Sequence, residues 1–487
     1  MDAKEGLGAE LLTAAGASDL SEALERLITT SRSARGRDNL GKIGVLQQTL
    51  RLIPVLAPRN RLVCSLCIKL IRNLCAGDAA NQENFIRQNG VEIICELIAT
   101  EEYGQDPGIV RFGLQVLGNA SLAGEMHKTA VWRGFVHHGF AVLQRQRRKE
   151  ICDPLCMLLY SCIDGIPGQL DKLRNDLGFH ALLSEILRTV SSVELEEDWL
   201  KLLLSRICLE QPDFPLLFSS IRFFSSESSG VRFSAEQSCL LRLVSEILND
   251  RITEIAVFED FALFVLEIFK ASAALLHSIS RGESRFPSGV PEIDVLGYSL
   301  RILRDICAQD VGTLFNQERV DVVNKLLATG LVELFLSLLR DLELPATIRK
   351  AMRQNENKET GDEKCLRVCP YRGFRSDILA VIANCTYRRK QVQDYIREQN
   401  GVLLLLQHCV TDEDNPYLRE WGIWCLRNLL EENQENQRIV AELEVQDTIN
   451  VPELAGLNLK VEIDELTRRA KLVNIPAQDG SRFSSSS

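Results

Sequence analysis

An internal repeat with a long offset is the feature that most constrains how this chain can fold. Two apolar sets share the helical spacing i, i+3, i+4 and i+7, namely Val91, Ile94, Cys95 and Ile98, and Val402, Leu405, Leu406 and Cys409. An offset of 311 residues (402 − 91) relates the two sets. The same offset maps Asn73 onto Asn384 and Gln82 onto Gln393. The chain therefore contains two copies of one helical block.

Each block has a shorter period of its own. Asn73 and Asn119 are 46 residues apart (119 − 73), and Asn384 and Asn428 are 44 apart (428 − 384). Both values fall within the roughly 40–47 residues of HEAT and armadillo units. Such a unit cannot bury its apolar face alone, so neighbouring units must stack. The sequence predicts an all-α, armadillo/HEAT-like α-solenoid, an α-α superhelix.

Turn residues mark where the helices of a repeat begin and end. A short helix carrying Phe85 and Ile86 is expected to end at Asn89-Gly90, with Gly90 in the left-handed conformation. Asp106-Pro107 and Asp414-Asn415-Pro416 each pair capping side chains with a proline. Both are expected to start a helix with proline at its first position.

Changes in composition divide the chain. Polar stretches at Pro212 to Ser238, Ser278 to Pro291 and Ala346 to Lys364 are typical of loops or linkers. The predicted organisation is 1–150, N-terminal armadillo-like repeats; 151–340, degenerate helical repeats; 341–372, a charged linker; 373–475, a C-terminal armadillo domain; and 476–487, a disordered tail.

Charge and composition restrict the class of protein. The chain of 487 residues has a net charge of −11 and is 45% hydrophobic. These values exclude disorder of the whole chain and argue against a dedicated nucleic-acid binder. No signal peptide and no membrane-length apolar run is apparent, so we expect a cytosolic protein without a membrane span. Its fifteen cysteines are then expected to be reduced packing residues.

The C-terminal block carries a specific resemblance. An acidic turn with Asn415-Pro416 is followed by Glu420-Trp421, then by Arg427-Asn428-Leu429 and the Gln-rich segment from Asn433 to Gln437. This pattern resembles the C-terminal domain of the ataxin-10 family. The resemblance implies an armadillo-like cytoplasmic scaffold without catalytic activity. It also implies self-association through the C-terminal domain and links to cytokinesis, growth and signalling through protein partners.

Asparagine and tryptophan residues at the ends of the predicted repeat helices are candidates for partner binding. Trp421, Trp424 and Asn428 lie at i, i+3 and i+7 on one helical stripe. Trp-x-x-x-Asn pairs line the peptide groove of importin-like armadillo proteins. We therefore carry a peptide-reading transport adaptor as an alternative function. The candidate partner-binding residues are Asn73, Asn119, Asn384, Trp421, Trp424 and Asn428. The other possibility is that asparagine bonds the neighbouring repeat and tryptophan is core.

An acidic stretch is the second candidate. Residues 412–447 contain ten carboxylates and three arginines, a local balance of −7 (3 − 10). The predicted acidic surface comprises Asp412, Glu413, Asp414, Glu431, Glu432 and Glu435. It could steer a basic partner, or it could be an ordinary solvated face.

The remaining motifs are weak. Arg145, Arg147, Arg148 and Lys149 form a short basic cluster that could read as an import signal or as a solvated helix end. Cys64-x-x-Cys67 lacks a second cysteine pair, adjacent His137-His138 cannot chelate from one helical face, and Cys365 and Cys369 are weak candidates for oxidation. With no catalytic or phosphate-binding motif, we expect no enzyme activity, no cofactor and no metal.

Overall fold

A computed structural model describes most of the chain. The described residues are 17–56, 60–145, 148–164, 168, 176–192, 198–209, 214–223, 232–277, 287–309, 322–355, 367–443, 459–463 and 470–474. They form two compact units, Met1–Leu331 with Cys369–Phe374, and Val332–Val368 with Arg375–Ser487. We call these unit 1 and unit 2.

Helices make up nearly all of the described structure. In the N-terminal part they are α1 (Ala17–Ser31), α2 (Ala34–Lys42), α3 (Val45–Leu56), α4 (Arg61–Leu74), α5 (Ala79–Arg87), α6 (Gly90–Ala99), α7 (Pro107–Ser121), α8 (Glu125–Arg145) and α9 (Lys149–Ile163). The middle helices are α10 (Leu177–Ser192), α11 (Asp198–Leu204), α12 (Phe214–Phe223), α13 (Ala235–Asp250), α14 (Glu259–Ala273), α15 (Pro291–Ala308) and α16 (Val322–Ala328).

The C-terminal helices are α17 (Leu331–Asp341), α18 (Ala346–Asn355), α19 (Phe374–Thr386), α20 (Lys390–Glu398), α21 (Gly401–Leu406), α22 (Leu418–Leu430) and α23 (Gln434–Ala441). A short antiparallel pair follows, β1 (Leu459–Ile463) with β2 (Ala470–Asn474), in which Val461 is opposite Leu472. The fold class is all-α, as the repeat predicted, with this strand pair as a small addition near its end.

The repeats of unit 1 each contain three helices. One repeat is α2, α3 and α4, and the next is α5, α6 and α7. Helix α4 is capped by Asn60, whose side chain accepts a hydrogen bond from the Val63 amide at 3.2 Å. Residues Cys64, Cys67 and Ile71 of α4 are buried against its neighbours. The third helices α4 and α7 pack on one another, which stacks the repeats.

Unit 2 contains the matching repeat, formed by α20, α21 and α22 after the third helix α19. In α19 the apolar residues Ile378, Val381, Ile382 and Cys385 share one face and are buried, and Leu379 and Ala380 on its other sides are buried too. A helix that is apolar all round belongs to the interior of its unit. Helix α21 ends at Leu406, so Cys409 lies in the turn after it and the predicted helix is shorter than its spacing indicated.

The predicted break at Asn89-Gly90 is confirmed, but the left-handed residue there and the predicted cap of α22 were wrong. Asn89 and Asn400 take the left-handed conformation, with φ of 54° and 53°, while Gly90 and Gly401 begin the next helix. Asparagine tolerates this region, and the glycines are needed for close packing, because a Cβ on Gly90 would lie 2.4 Å from the Phe85 ring. The sequence Asp414-Asn415-Pro416 does not cap α22, which begins at Leu418 after the left-handed Tyr417.

Two of the predicted loops contain helices. Helix α12 occupies part of the Ser- and Phe-rich stretch, because Phe214, Leu217 and Ile221 supply a buried face. Helix α18 occupies the start of the Ala346–Lys364 stretch, where Arg349, Lys350 and Arg353 are good helix formers despite their charge. The rest of the stretch lies outside the described residues.

Candidate protein-binding surfaces

A pair of side-chain hydrogen bonds joins consecutive repeats in unit 1. Asn119, in α7, donates from Nδ2 to the Arg72 carbonyl oxygen of α4 at 3.0 Å. Gln82, in α5, donates from Nε2 to the Asn119 carbonyl oxygen at 2.9 Å and to the Cys75 carbonyl oxygen at 2.8 Å. These carbonyls lie at or after helix ends, where the intrahelical pattern leaves acceptors open. The two amides therefore fix how one repeat sits on the next.

Unit 2 has the same pair of bonds. Asn428, in α22, donates from Nδ2 to the Ala383 carbonyl oxygen of α19 at 2.9 Å. Gln393, in α20, donates to the Asn428 carbonyl oxygen at 2.8 Å. The 311-residue offset aligned Gln82 with Gln393, but their role was missed. The available signal was that Gln82 and Gln393 are polar and occupy the same position in two otherwise apolar repeats.

The candidate asparagines differ in their surroundings. Asn73 donates to Ser31 Oγ at 3.1 Å and accepts from Arg72 Nη2 at 2.9 Å. Asn384 is half-buried at the end of α19. Asn428 is 7% exposed. At Asn119 and Asn428 the side-chain amide already donates a hydrogen bond to the neighbouring repeat. This is the structural role that the sequence offered as the alternative to peptide binding. A partner-binding role for these asparagines stays a prediction.

The tryptophans are not core residues. Trp424 is 50% exposed and Trp421 is half-buried. Ile423, beside Trp424 on α22, is 53% exposed, and Tyr417 before the helix is 73% exposed. The Arg427 guanidinium lies over the Trp424 ring, 4.8 Å from its centre, while half of the tryptophan surface stays exposed. We call Tyr417, Ile423, Trp424 and Arg427 the α22 surface.

The predicted acidic residues lie in the turns before and after α22, except Glu435, which lies in the first turn of α23. Glu413, Asp414, Glu432 and Glu435 are exposed, and Asp412 and Glu431 are half-buried. Asp412 has a structural task, because its carboxylate accepts from the Asp414 amide at 2.9 Å and from Asn415 Nδ2 at 3.2 Å. The side chain of Asn415 accepts a hydrogen bond from the Arg375 amide at 3.0 Å. It therefore bonds to the first turn of α19 and does not cap α22. A steering role for the exposed carboxylates stays a prediction.

Comparison with known proteins identifies the relationship. Residues 374–472 match the model described as the spinocerebellar ataxia type 10 protein domain. Ataxin-10 of Xenopus tropicalis is 23% identical over 406 residues, covering 81% of this chain and 78% of its own length. The chain is therefore similar to ataxin-10 over most of its length, and its residues 374–472 match the domain named after that protein.

Proteins of the ataxin-10 family match to different extents. Ataxin-10 of Bos taurus is 23% identical over 479 residues, covering 91% of this chain and 92% of its own length. The Dictyostelium discoideum homolog is 36% identical over 125 residues, which are 26% of this chain and 19% of that protein. Among solved structures, a designed armadillo repeat protein aligns with 50% of this chain and 99% of its own, at 13% identity and a TM-score of 0.38.

The cysteines of this chain are packing residues where the structure describes them. Burial raises the pKa of Cys64 to about 11 and of Cys67 to about 12, so both remain neutral thiols. No group of three or more His, Cys, Asp or Glu side chains suited to a metal occurs in the described residues. Cys369 is buried, whereas Cys365 and most of the basic cluster at 145–149, like the side chains of His137 and His138, lie outside the described residues.

One pair of the described helices has an apolar character close to that of a membrane span. Within the described ranges, no single helix has the length and apolar character to cross a bilayer. The consecutive helices α16 and α17 reach that length and apolar character only when they are taken together, and a bend of 58° lies between them.

Proposed function

We propose that this chain is a member of the ataxin-10 family and a non-enzymatic cytosolic scaffold that binds protein partners and associates with itself through its C-terminal repeats. The α22 surface is the observation that supports this function. It offers a half-exposed tryptophan ring beside an exposed isoleucine and an arginine. Tryptophan and arginine are the residues most often found at the energetic centres of protein interfaces.

The occupant proposed for the α22 surface is the same surface of a second copy. A two-fold contact brings one patch against itself, so Arg427 of one copy can face the carboxylates of the other. Glu432 and Glu435 follow α22 directly and are exposed. Attraction between these groups would orient two copies while the aromatic side chains supply the buried area.

The cytosolic location is part of the proposal. Its support comes from the buried, neutral thiols, since a reducing compartment keeps such residues unpaired. Roles in cytokinesis, growth or signalling belong to the same proposal and rest on the family relationship. The importin-like adaptor has less support, because the Asn428 amide that would clasp a peptide already donates to Ala383.

Sedimentation velocity on the full chain over a range of concentrations tests self-association. We expect concentration-dependent dimers for the wild type. The dissociation constant of the dimer should be at least about tenfold higher for Trp424→Ala, as for a central interface tryptophan. Leu122→Ala, at a 60% exposed position in unit 1, is the control and should behave like the wild type. A chain that stays monomeric at high micromolar concentration contradicts self-association. Equal dimerisation of both variants contradicts the assigned surface.

A further inference from the structure

A second surface, in unit 1, has a different chemistry. A groove of about 610 Å³ runs between the third helices α1 and α4. We call it the basic groove. Its charged lining comprises Glu25, Arg32, Arg37, Lys69 and Arg72, and Asn73 lies beside them. It lies on other helices than the α22 surface, so it is independent of the proposed self-association.

The positive charge of the groove is not neutralised within the described residues. Four cationic side chains line it against the single carboxylate of Glu25, and none of the four forms an ion pair in the described ranges. Arg37 donates from Nη1 to the Arg32 carbonyl oxygen at 3.2 Å, and its buried Nε has no partner. The unbalanced positive charge of these side chains favours an anionic ligand in the groove.

The cationic character continues onto α7. The ring of Phe112 has three cations near its centre, with Lys69 Nζ and Arg72 Cζ each at 5.1 Å and Arg111 Cζ at 5.0 Å. The Nε of Arg111 is buried and also lacks a partner. Burial and the charge of Arg111 lower the pKa of Arg72, as expected for like charges held together. A carboxylate placed among them would relieve the repulsion.

We propose that the basic groove binds an extended acidic segment of a partner protein across α1, α4 and α7. Packed helices lie about 8–10 Å apart. An extended chain rises about 3.3 Å per residue, so about three residues separate neighbouring helices. The preferred segment therefore carries Asp or Glu at about every third position. Arginine binds carboxylates through two parallel hydrogen bonds, which gives this site its selectivity.

The surroundings favour a peptide over a nucleic acid. Proteins that bind single strands stack bases on open aromatic rings. Phe112 is half-buried and has three cations near it, so it offers no such platform.

Fluorescence polarisation with the full chain tests the proposal. The probe is a labelled peptide with aspartate at every third position among alanines, compared with the same peptide carrying asparagine and with a uridine decamer. We expect the aspartate peptide to bind at least about tenfold more tightly than the asparagine peptide, and less tightly as salt rises. The uridine decamer should bind more weakly. Equal binding of the two peptides, or tighter binding of the decamer, overturns the proposal.

Charge-reversal variants locate the site. Arg32→Glu combined with Lys69→Glu should weaken the aspartate peptide at least about tenfold, because both side chains line the groove. Arg35→Glu is the matched control, since Arg35 is exposed on α2 and does not line the groove, and it should change binding less than about twofold. Circular dichroism verifies that both variants fold. Equal loss in the double variant and the control would overturn the assigned groove.

Discussion

In unit 1 and in unit 2, hydrogen bonds from one Asn and one Gln side chain join consecutive repeats, and we call these bonds the Asn–Gln bonding scheme. The surfaces of the two units nevertheless differ in charge. In unit 1, three cations surround Phe112 and the adjoining groove is basic. In unit 2, Trp424 and Tyr387 are exposed, each with one arginine against its ring, and carboxylates occupy the turns around α22. The Asn and Gln side chains that join the repeats are nevertheless equivalent. Repeat order and surface chemistry are therefore specified by different residues.

Removing the glutamine of the bonding scheme should have the largest effect on stability. Gln393 also accepts from Asn433 Nδ2 at 3.2 Å, so Gln393→Ala breaks bonds on both sides of its amide. We expect a loss of about 3 kcal/mol in unit 2. For Gln82→Ala in unit 1, where both bonds come from Nε2, we expect about 2 kcal/mol.

Hydrogen exchange resolved by peptide measures each unit separately, since a chain with two units need not unfold in one step. Gln407→Ala, at an exposed position in unit 2, is the control and should change protection little. Equal losses for Gln82→Ala and Gln407→Ala would remove the bonding scheme as a source of stability.

Mild acid should destabilise the repeat of unit 2 that contains His408 more than the N-terminal repeats of unit 1. Burial lowers the pKa of His408 to about 4, and its Nδ1 lies 2.8 Å from the Leu404 carbonyl oxygen. The unfolded chain binds a proton near pH 6.5, so this stability is complete above that pH and is lost as pH falls towards 4. At pH 5 the loss is about 2 kcal/mol.

The segment 17–121 of unit 1 contains no histidine and serves as the internal reference. Exchange rates, corrected for intrinsic pH dependence, should rise at pH 5 in α21 and α22 relative to α4 to α7. His408→Gln should reduce that difference. A difference that His408→Gln leaves intact would assign the acid sensitivity to other groups.

The Asn-Gly pairs should show a smaller effect that also differs between units. A Cβ on Gly90 meets a side-chain ring, but on Gly401 it meets the Ile396 carbonyl oxygen at 2.8 Å, and backbone yields less readily. We expect Gly401→Ala to cost about 3 kcal/mol and Gly90→Ala about 2 kcal/mol, measured by urea unfolding. Asn89→Ala should cost only about 1 kcal/mol for the left-handed residue. The reverse order of Asn89 and Gly90 would restore the sequence-based prediction.

Side chains of the two proposed binding surfaces should affect stability least. Trp424→Ala in unit 2 and Lys69→Ala in unit 1 should each change the free energy of unfolding by less than about 1 kcal/mol. Their large effects are expected in association and in peptide binding respectively. Thermal melts check this directly. A marked destabilisation in either variant would assign that side chain to packing and weaken the contrast between the two surfaces.

Sequence alone predicted what depends on periodicity. It located the repeats, the apolar positions of α6 and the cap at Asp106, which accepts from the Gly108 amide at 2.9 Å. It misassigned Asn89 and Gly90 because both residues tolerate the left-handed region, and only packing against Phe85 decides between them. The basic groove was not predicted, since Arg32 and Lys69 are far apart in the chain and meet only when repeats stack.

The Asn–Gln bonding scheme also bears on how such a chain can change length during evolution. The bonded Gln and Asn are 37 residues apart in unit 1 and 35 apart in unit 2. Between them, α6 has 10 residues and α21 has 6, yet the bond lengths are 2.9 and 2.8 Å. Insertions and deletions in this interval are therefore absorbed by the second helix and the turn after it. A lineage can remodel that stretch freely while each repeat keeps its place on its neighbour.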